Sequence, residues 1–275
     1  MPLFDKVVFS AADSNLLADV SALAGRKWST DNETIRKYRL KLLKLQLWRC
    51  IYCQSPILNE SGHRELDHIL PKEKSPWDND IKRVSNLYDD RRHTFGYKNF
   101  THEPKNLIVA CKICNTNKGT FDPRRNRSRK VHKYPSHSRL IWLRPYDENY
   151  ATHIKFDPLT WTYTRNSEEG DYVIWTCKLN DPSNLRDLCI ARGQAIIART
   201  DGFCHAVRAL AISISTNTLP VREAAFALME DYPGPDEIEV SDLLIQQAES
   251  MKSMDLNVME DATRALIFVS AKVAP

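Results

Sequence analysis

The chain has 275 residues and a formal net charge of +4, a length that holds one metal-clasped module and one further domain. Its seven cysteines are an odd number, which excludes a fully paired disulfide framework, and no stretch approaches the roughly 20 apolar residues that span a bilayer. The start, Met1-Pro2-Leu3-Phe4-Asp5, lacks the basic residues and apolar core of a secretory leader, so a reducing cytoplasm is the expected compartment.

The modest charge hides a polarity along the sequence. From Lys82 to Arg144 there are 16 basic and four acidic residues, whereas from Val221 to Pro275 there are four basic and eleven acidic ones. A concentrated positive stretch favours a polyanionic substrate, because neutralised phosphates release counterions.

In chain order, Leu16, Leu17, Val20 and Leu23 share a face and predict a first helix that stops at Gly25. Ser29, Thr30 and Asp31 are all good caps for a second helix, with Glu33 in its first turn and Ile35, Leu42, Leu43 and Leu47 on its apolar side. Its basic face reads as solvated surface in preference to a phosphate contact. Residues 1–49 are thus expected to be a helical segment.

Two Cys-x-x-Cys pairs follow, Cys50/Cys53 and Cys111/Cys114. Both sulfurs of such a pair reach one ion across a tight turn, so the four match a structural Zn²⁺ site. The pairs are separated by 57 residues, well beyond the roughly 15–20 of a simple four-cysteine finger. The insertion, which includes Trp77, Arg83, Arg91, Arg92, His93, Tyr97 and Lys98, is expected to be a substrate-facing loop. His63, His93 and His102 are expected to be exposed loop residues rather than extra ligands.

Between the pairs lies Leu66-Asp67-His68-Ile69-Leu70-Pro71. Phosphodiester hydrolysis needs a base for the attacking water and a counter-charge for the transition state. A neutral His68 suits the first role, and Asp67 is a hard oxygen ligand for Mg²⁺, with the side-chain carbonyl of Asn115 as a further ligand. On a strand these two neighbours point in different directions.

Residues 121–150 read as a basic connector with the run Arg124-Arg125-Asn126-Arg127-Ser128-Arg129-Lys130, a nucleic-acid contact or a solvated loop. Beyond it, Ile154–Phe156, Trp161–Thr164 and Tyr172–Thr176 are rich in β-branched and aromatic residues and predict a small antiparallel sheet. From Asp181 the period becomes helical, with last helices near 240–252 and 258–272 after Asp231-Tyr232-Pro233-Gly234-Pro235. Cys177, Cys189 and Cys204 are expected to be buried thiols. Trp142, Trp161 and Trp175 either stack on unpaired bases or, preferably, fill a core face. Residues 151–275 form the last division, an α+β part ending in acidic helices that serve as a docking surface or as a helical cap.

The strings Cys50-Ile51-Tyr52-Cys53, Leu66-Asp67-His68-Ile69-Leu70-Pro71 and Asn106-Leu107-Ile108-Val109-Ala110-Cys111-Lys112-Ile113-Cys114-Asn115-Thr116-Asn117-Lys118-Gly119 together resemble the HNH endonucleases over about residues 48–120. The resemblance implies an α+β fold whose residues 50–120 are a zinc-clasped ββα-metal finger holding one catalytic Mg²⁺ or Mn²⁺. It implies His68 as general base, Asn106 as the residue that fixes the loop carrying the base, and Asn115 at the third position, where many members have histidine. Lys118 falls where such enzymes place a cation near the cleaved phosphate, and Arg91, Arg92, Arg124 and Arg125 are the further phosphate contacts expected from charge. Asn106 read alone is also a turn cap. Leu143-Arg144-Pro145-Tyr146-Asp147-Glu148-Asn149 with His153-Ile154-Lys155-Phe156 resembles HNH subunits of Septu-type and retron-linked anti-phage systems, which implies an ABC- or AAA-type ATPase partner and the acidic C-terminus as its dock. DNA stands ahead of RNA as substrate, and the competing expectation is a zinc-stabilised nucleic-acid-binding module without catalysis.

Overall fold

The computed structural model describes residues 3–58, 63–75, 87–136, 139–157 and 160–273. The chain is α+β and divides into two compact units, Phe4–Cys189 and the residues from Ile190 onward. The expected insertion residues Trp77 and Arg83 lie outside the described residues.

In the first unit α1 (Ser14–Ser21) precedes α2 (Glu33–Leu45). The cap of α2 is Asn32, one residue past the three expected, and its side chain accepts from Ile35 N at 3.3 Å. Ile35, Tyr38, Leu42 and Leu43 form the buried face of α2. Strand β1 (Glu65–His68) then pairs antiparallel with β2 (Leu107–Ala110), placing Asp67 opposite Ile108 and His68 opposite Leu107. All four β2 residues are buried and apolar, as suits a strand closed in on both faces.

The free edge of β2 is satisfied from α2 and the first cysteine pair. Gln46, wholly buried, donates to Val109 O at 2.8 Å and to Arg49 O at 2.9 Å, and accepts from Val109 N at 3.0 Å. Ile51 N also donates to Val109 O at 3.2 Å. One side chain thus ends the sheet and docks α2 on it.

Helix α3 (Lys112–Lys118) follows β2 directly, and Gly119 ends it at φ +51°. A short helix α4 (Tyr150–His153) leads into β3 (Ile154–Asp157), which pairs antiparallel with β4 (Thr162–Arg165). Ile154, Phe156 and Tyr163 share one buried core with Cys50, Tyr52, Val109 and Trp142.

The third expected strand, Tyr172–Thr176, is a correction: it belongs to helix α5 (Glu168–Thr176). Ser167 caps it by accepting from Gly170 N at 3.1 Å, and Glu168, Glu169 and Asp171 suit the dipole of its first turn. Local capping outweighed the strand preference of Tyr172, Val173 and Ile174. At Gly170 a Cβ would stand 1.9 Å from His153 O, so the close approach of α5 to α4 requires glycine.

Helix α6 (Pro182–Ser215) continues into the second unit, where α7 (Val221–Asp231), α8 (Glu237–Ser250) and α9 (Leu256–Val273) follow. There Phe203, Leu228, Leu244 and Leu266 centre an all-helical core, and α9 is tied to α8 by Gln247 donating to Ala262 O at 2.6 Å. Of the three remaining cysteines only Cys177 is buried; Cys189 is exposed and Cys204 intermediate, which corrects the expectation for both Cys189 and Cys204. Among the described residues no helix is long and apolar enough to cross a membrane.

The edge contact at Gln46 sets a stability test. Gln46→Leu leaves the Val109 N–H and two carbonyls buried without Gln46 as their partner, and the expected cost is about 2–4 kcal/mol, read from urea unfolding.

Candidate functional site

The sulfurs of Cys50, Cys53, Cys111 and Cys114 all lie within 4.8 Å of one another. Zn–S bonds of about 2.3 Å put tetrahedral sulfurs about 3.8 Å apart; the Cys53 and Cys111 sulfurs are 3.8 Å apart. None of the four is in a disulfide. Two are approached by amides: Cys111 N lies 3.3 Å from Cys50 Sγ, and Cys114 N lies 3.4 Å from Cys111 Sγ, contacts that stabilise negative sulfur. The donor set fits Zn²⁺, with all-sulfur coordination and no position left open.

Asp67 and His68 stand at the end of β1 with different neighbours. Asp67 is 6% exposed. Its Oδ2 accepts from the Tyr52 hydroxyl at 2.6 Å, and its Oδ1 receives the Lys118 ammonium at 3.1 Å. That ammonium, on a side chain 1% exposed, also donates to His68 O at 2.7 Å. Burial and then the neighbouring Asp67 charge hold the Tyr52 phenol well above its ordinary value, so it stays a donor, and it accepts in turn from Trp142 Nε1 at 3.3 Å.

His68 Nε2 lies 3.1 Å from Thr101 O. A carbonyl only accepts, so in the neutral ring Nε2 carries the proton and Nδ1 keeps the lone pair. The Trp28 ring covers the imidazole edge-on at 4.6 Å and reaches His102 at 5.4 Å. Burial pushes the His68 pKa down to about 3, and the Lys118 ammonium adds to the shift.

Asn106 is wholly buried and staples the loop that follows His68. Its Oδ1 accepts from Leu70 N at 2.7 Å while its Nδ2 donates to Leu70 O at 3.2 Å and Phe100 O at 3.0 Å. Asn115 is half-buried in α3, directly after Cys114.

The cations expected at the substrate divide. Arg91, 2% exposed, packs on the Tyr172 ring at 4.9 Å and donates to the carbonyls of Asp122 and Arg124. It is an internal brace, closed to a substrate. Arg124 is 3% exposed and donates through Nε to the Tyr97 hydroxyl at 2.7 Å. Arg92 is half-buried and holds the carbonyl of Asn117 at 3.0 Å; Arg125 is exposed and paired with Glu168 at 2.9 Å. His93 and His102 are buried and His63 intermediate, which corrects the expectation of exposed loop histidines. Trp142 fills the core, whereas Trp175 is 38% exposed against the Tyr88 ring at 4.5 Å.

Sequence reasoning missed Tyr52, Trp28 and Thr101 as neighbours of the Asp-His pair. Tyr52 carried a signal, a polar aromatic inside a cysteine knuckle whose hydroxyl needs a buried partner. Trp28 and Thr101 carried none, since they lie 40 and 33 positions from His68 in the chain.

Two outcomes are expected. Purified protein carries one equivalent of zinc by elemental analysis, and Cys114→Ser loses both the zinc and the near-ultraviolet dichroism of the surrounding aromatics. In Trp28→Ala the His68 imidazole is hydrated again, so its pKa rises from about 3 toward about 6.5, seen by NMR titration of zinc-loaded protein without other divalent ions.

Over 87 residues the chain is 29% identical to the Septu protein PtuB of Bacillus thuringiensis, an alignment covering 32% of this chain and 25% of that protein. The chain thus spans about a quarter of the length of that relative. No family profile and no solved structure matches it.

Proposed function

We propose that residues 50–120 are the finger of an HNH endonuclease, a metal-dependent hydrolase of phosphodiester bonds in nucleic acid, DNA ahead of RNA. The observation that carries the reading is that one strand–strand–helix unit carries a carboxylate, an imidazole and a cation: Asp67 and His68 end β1, and Lys118 from α3 reaches the Asp67 carboxylate and the His68 backbone carbonyl.

In this reading His68 Nδ1 takes the proton of the attacking water while Nε2–H, held by Thr101 O, fixes the ring. Asn106 fixes the turn after the base. Asp67 and Asn115 would hold Mg²⁺ or Mn²⁺, which supplies charge stabilisation for the transition state. Asp67 is a buried carboxylate of the right chemistry, but Oδ1 is taken by the Lys118 ammonium and Oδ2 by the Tyr52 hydroxyl, so an ion there would have to displace Lys118. A cleft of about 770 Å³ is lined by Arg92, Asn117, Trp175 and Lys178 and also by Asp89, Asp171 and Asp181, so it offers an aromatic face but no net positive charge to a strand.

The likeness to the Septu protein supports a role as nuclease effector in anti-phage defence, acting beside an ABC- or AAA-type ATPase. The unit from Ile190 onward is the proposed dock. It carries most of the exposed large apolar side chains, among them Ile197, Phe226, Ile238, Met254 and Phe268, and its acidic excess suits a basic partner surface.

A second reading, a nucleic-acid-binding module without turnover, is favoured by the closure of Asp67 under Lys118 and Tyr52. Plasmid and structured RNA, incubated with and without Mg²⁺ and with and without the ATPase subunit, separate the two. The nuclease reading expects Mg²⁺-dependent cleavage that His68→Ala slows by about 10²–10⁴-fold; equal cleavage by that variant defeats it. Salt-sensitive binding with no cleavage in any arm supports the second.

A further inference from the structure

We propose that a cavity under the arginine-rich loop, apart from the Asp67/His68 site, binds a phosphorylated nucleotide through Arg124, Arg129 and Arg139. The inference is independent of the nuclease reading, because a nucleotide would bind there whether or not His68 acts as a base.

The loop is pinched at its neck. Arg125 N donates to Arg139 O and Ile141 N to Pro123 O, each at 2.8 Å, and Arg124 bridges to Leu140 between them. The half-open cavity measures about 400 Å³, within the range of small-molecule sites. Arg124, Arg129, Lys130 and Arg139 line it together with Val131 and Pro135, so cations adjoin apolar surface, the pairing that a phosphate and its sugar and base require.

The charges facing the cavity are unevenly answered. Arg125 is paired with Glu168 at 2.9 Å and Glu169 at 3.4 Å, and Arg124 stands 3.7 Å from Asp122. No carboxylate is among the lining residues, and Arg129, Lys130 and Arg139 are exposed.

Arg124 is the second, independent observation. It is 3% exposed; its Nε is held by Tyr97 and its Nη1 by Arg129 O. Its Nη2 is buried and has no hydrogen-bond partner among the described residues. A buried charged donor without an acceptor is costly, and a phosphate oxygen is the acceptor that the guanidinium fork suits best. One chemistry, a nucleoside phosphate, has two sources: a free nucleotide or the phosphorylated end of a strand.

Isothermal titration of the full chain at about 0.15 M salt tests this with ATP, a 5′-phosphorylated trinucleotide and the same trinucleotide without phosphate. Saturable one-to-one binding of ATP alone identifies a free nucleotide, and binding of the phosphorylated trinucleotide, alone or with ATP, identifies a strand end. Since Arg124 also supports Tyr97 and Asp122, the variant used is Arg129→Gln/Arg139→Gln. It should weaken binding by about tenfold or more, whereas Lys37→Gln/Lys155→Gln, which removes the same charge elsewhere, should have an effect below about twofold. The proposal is overturned if neither phosphorylated ligand binds, if the unphosphorylated trinucleotide binds as well, or if the two double variants weaken binding equally.

Discussion

The four-sulfur clasp fixes more than a metal, because both partners of Asp67 hang from it. Tyr52 lies inside the first cysteine pair and turns its hydroxyl onto Oδ2; Lys118 ends the helix that the second pair begins and reaches Oδ1. The two halves are 57 residues apart in sequence, and an ion held by all four sulfurs would keep them on opposite oxygens of one carboxylate. Losing it would free α3 and strand a buried Asp67 without its counter-charge, a loss of about 3–5 kcal/mol for a pair broken from one side. A metal held by the four sulfurs and the Asp67 carboxylate would thus be one mechanical unit, although no residue belongs to both.

The basic middle of the chain has a similar double life. Its arginines read as a surface charge, yet Arg91, Arg124, Arg127 and Arg144 are buried, and the first three donate to backbone carbonyls at Asp90, His93, Asp122, Arg124 and Arg129. The reason is the scarcity of regular structure among the described residues from 87 to 145, where besides β2 and α3 there are only short 3-10 helices, turns and the isolated Arg124–Leu140 bridge. Carbonyls without a helix or strand partner need donors, and a guanidinium fork supplies several at once. Apart from Arg124 Nη2, the cations left for an anion are those whose heads stay outside and are not paired with a carboxylate among the described residues, chiefly the exposed Arg129, Lys130 and Arg139.

Where chemistry depends on local spacing, the sequence was legible. The cysteine quartet followed from two knuckles, and the α+β class from the change of period near Asp181. The structure places Asp67 and His68 on a strand and gives Asn106 a loop to staple; each local motif was legible, whereas the contact of Asn106 with Leu70, 36 positions away, is made by the fold. Elements decided by long-range packing were not legible. Gln46 reads as one more polar residue at a helix end, and its value appears only once Val109 is beside it. Tyr172–Thr176 has strand composition, but Ser167 and the glycine against His153 O commit it to a helix. The division between Cys189 and Ile190 falls inside one unbroken helix, where no Pro, Gly or polar linker marks it.

Burial at His68 pulls in two directions. It keeps the imidazole neutral, which a base needs, but it also drops the pKa to about 3, and a group so reluctant to hold a proton is a weak base near neutrality. The Trp28 ring is one of the groups that bury the imidazole, in edge contact with it at 4.6 Å. Moving that ring would therefore do two things at once: open a path to His68 and return its basicity toward the value of about 6.5 at which proton transfer is most effective near neutral pH.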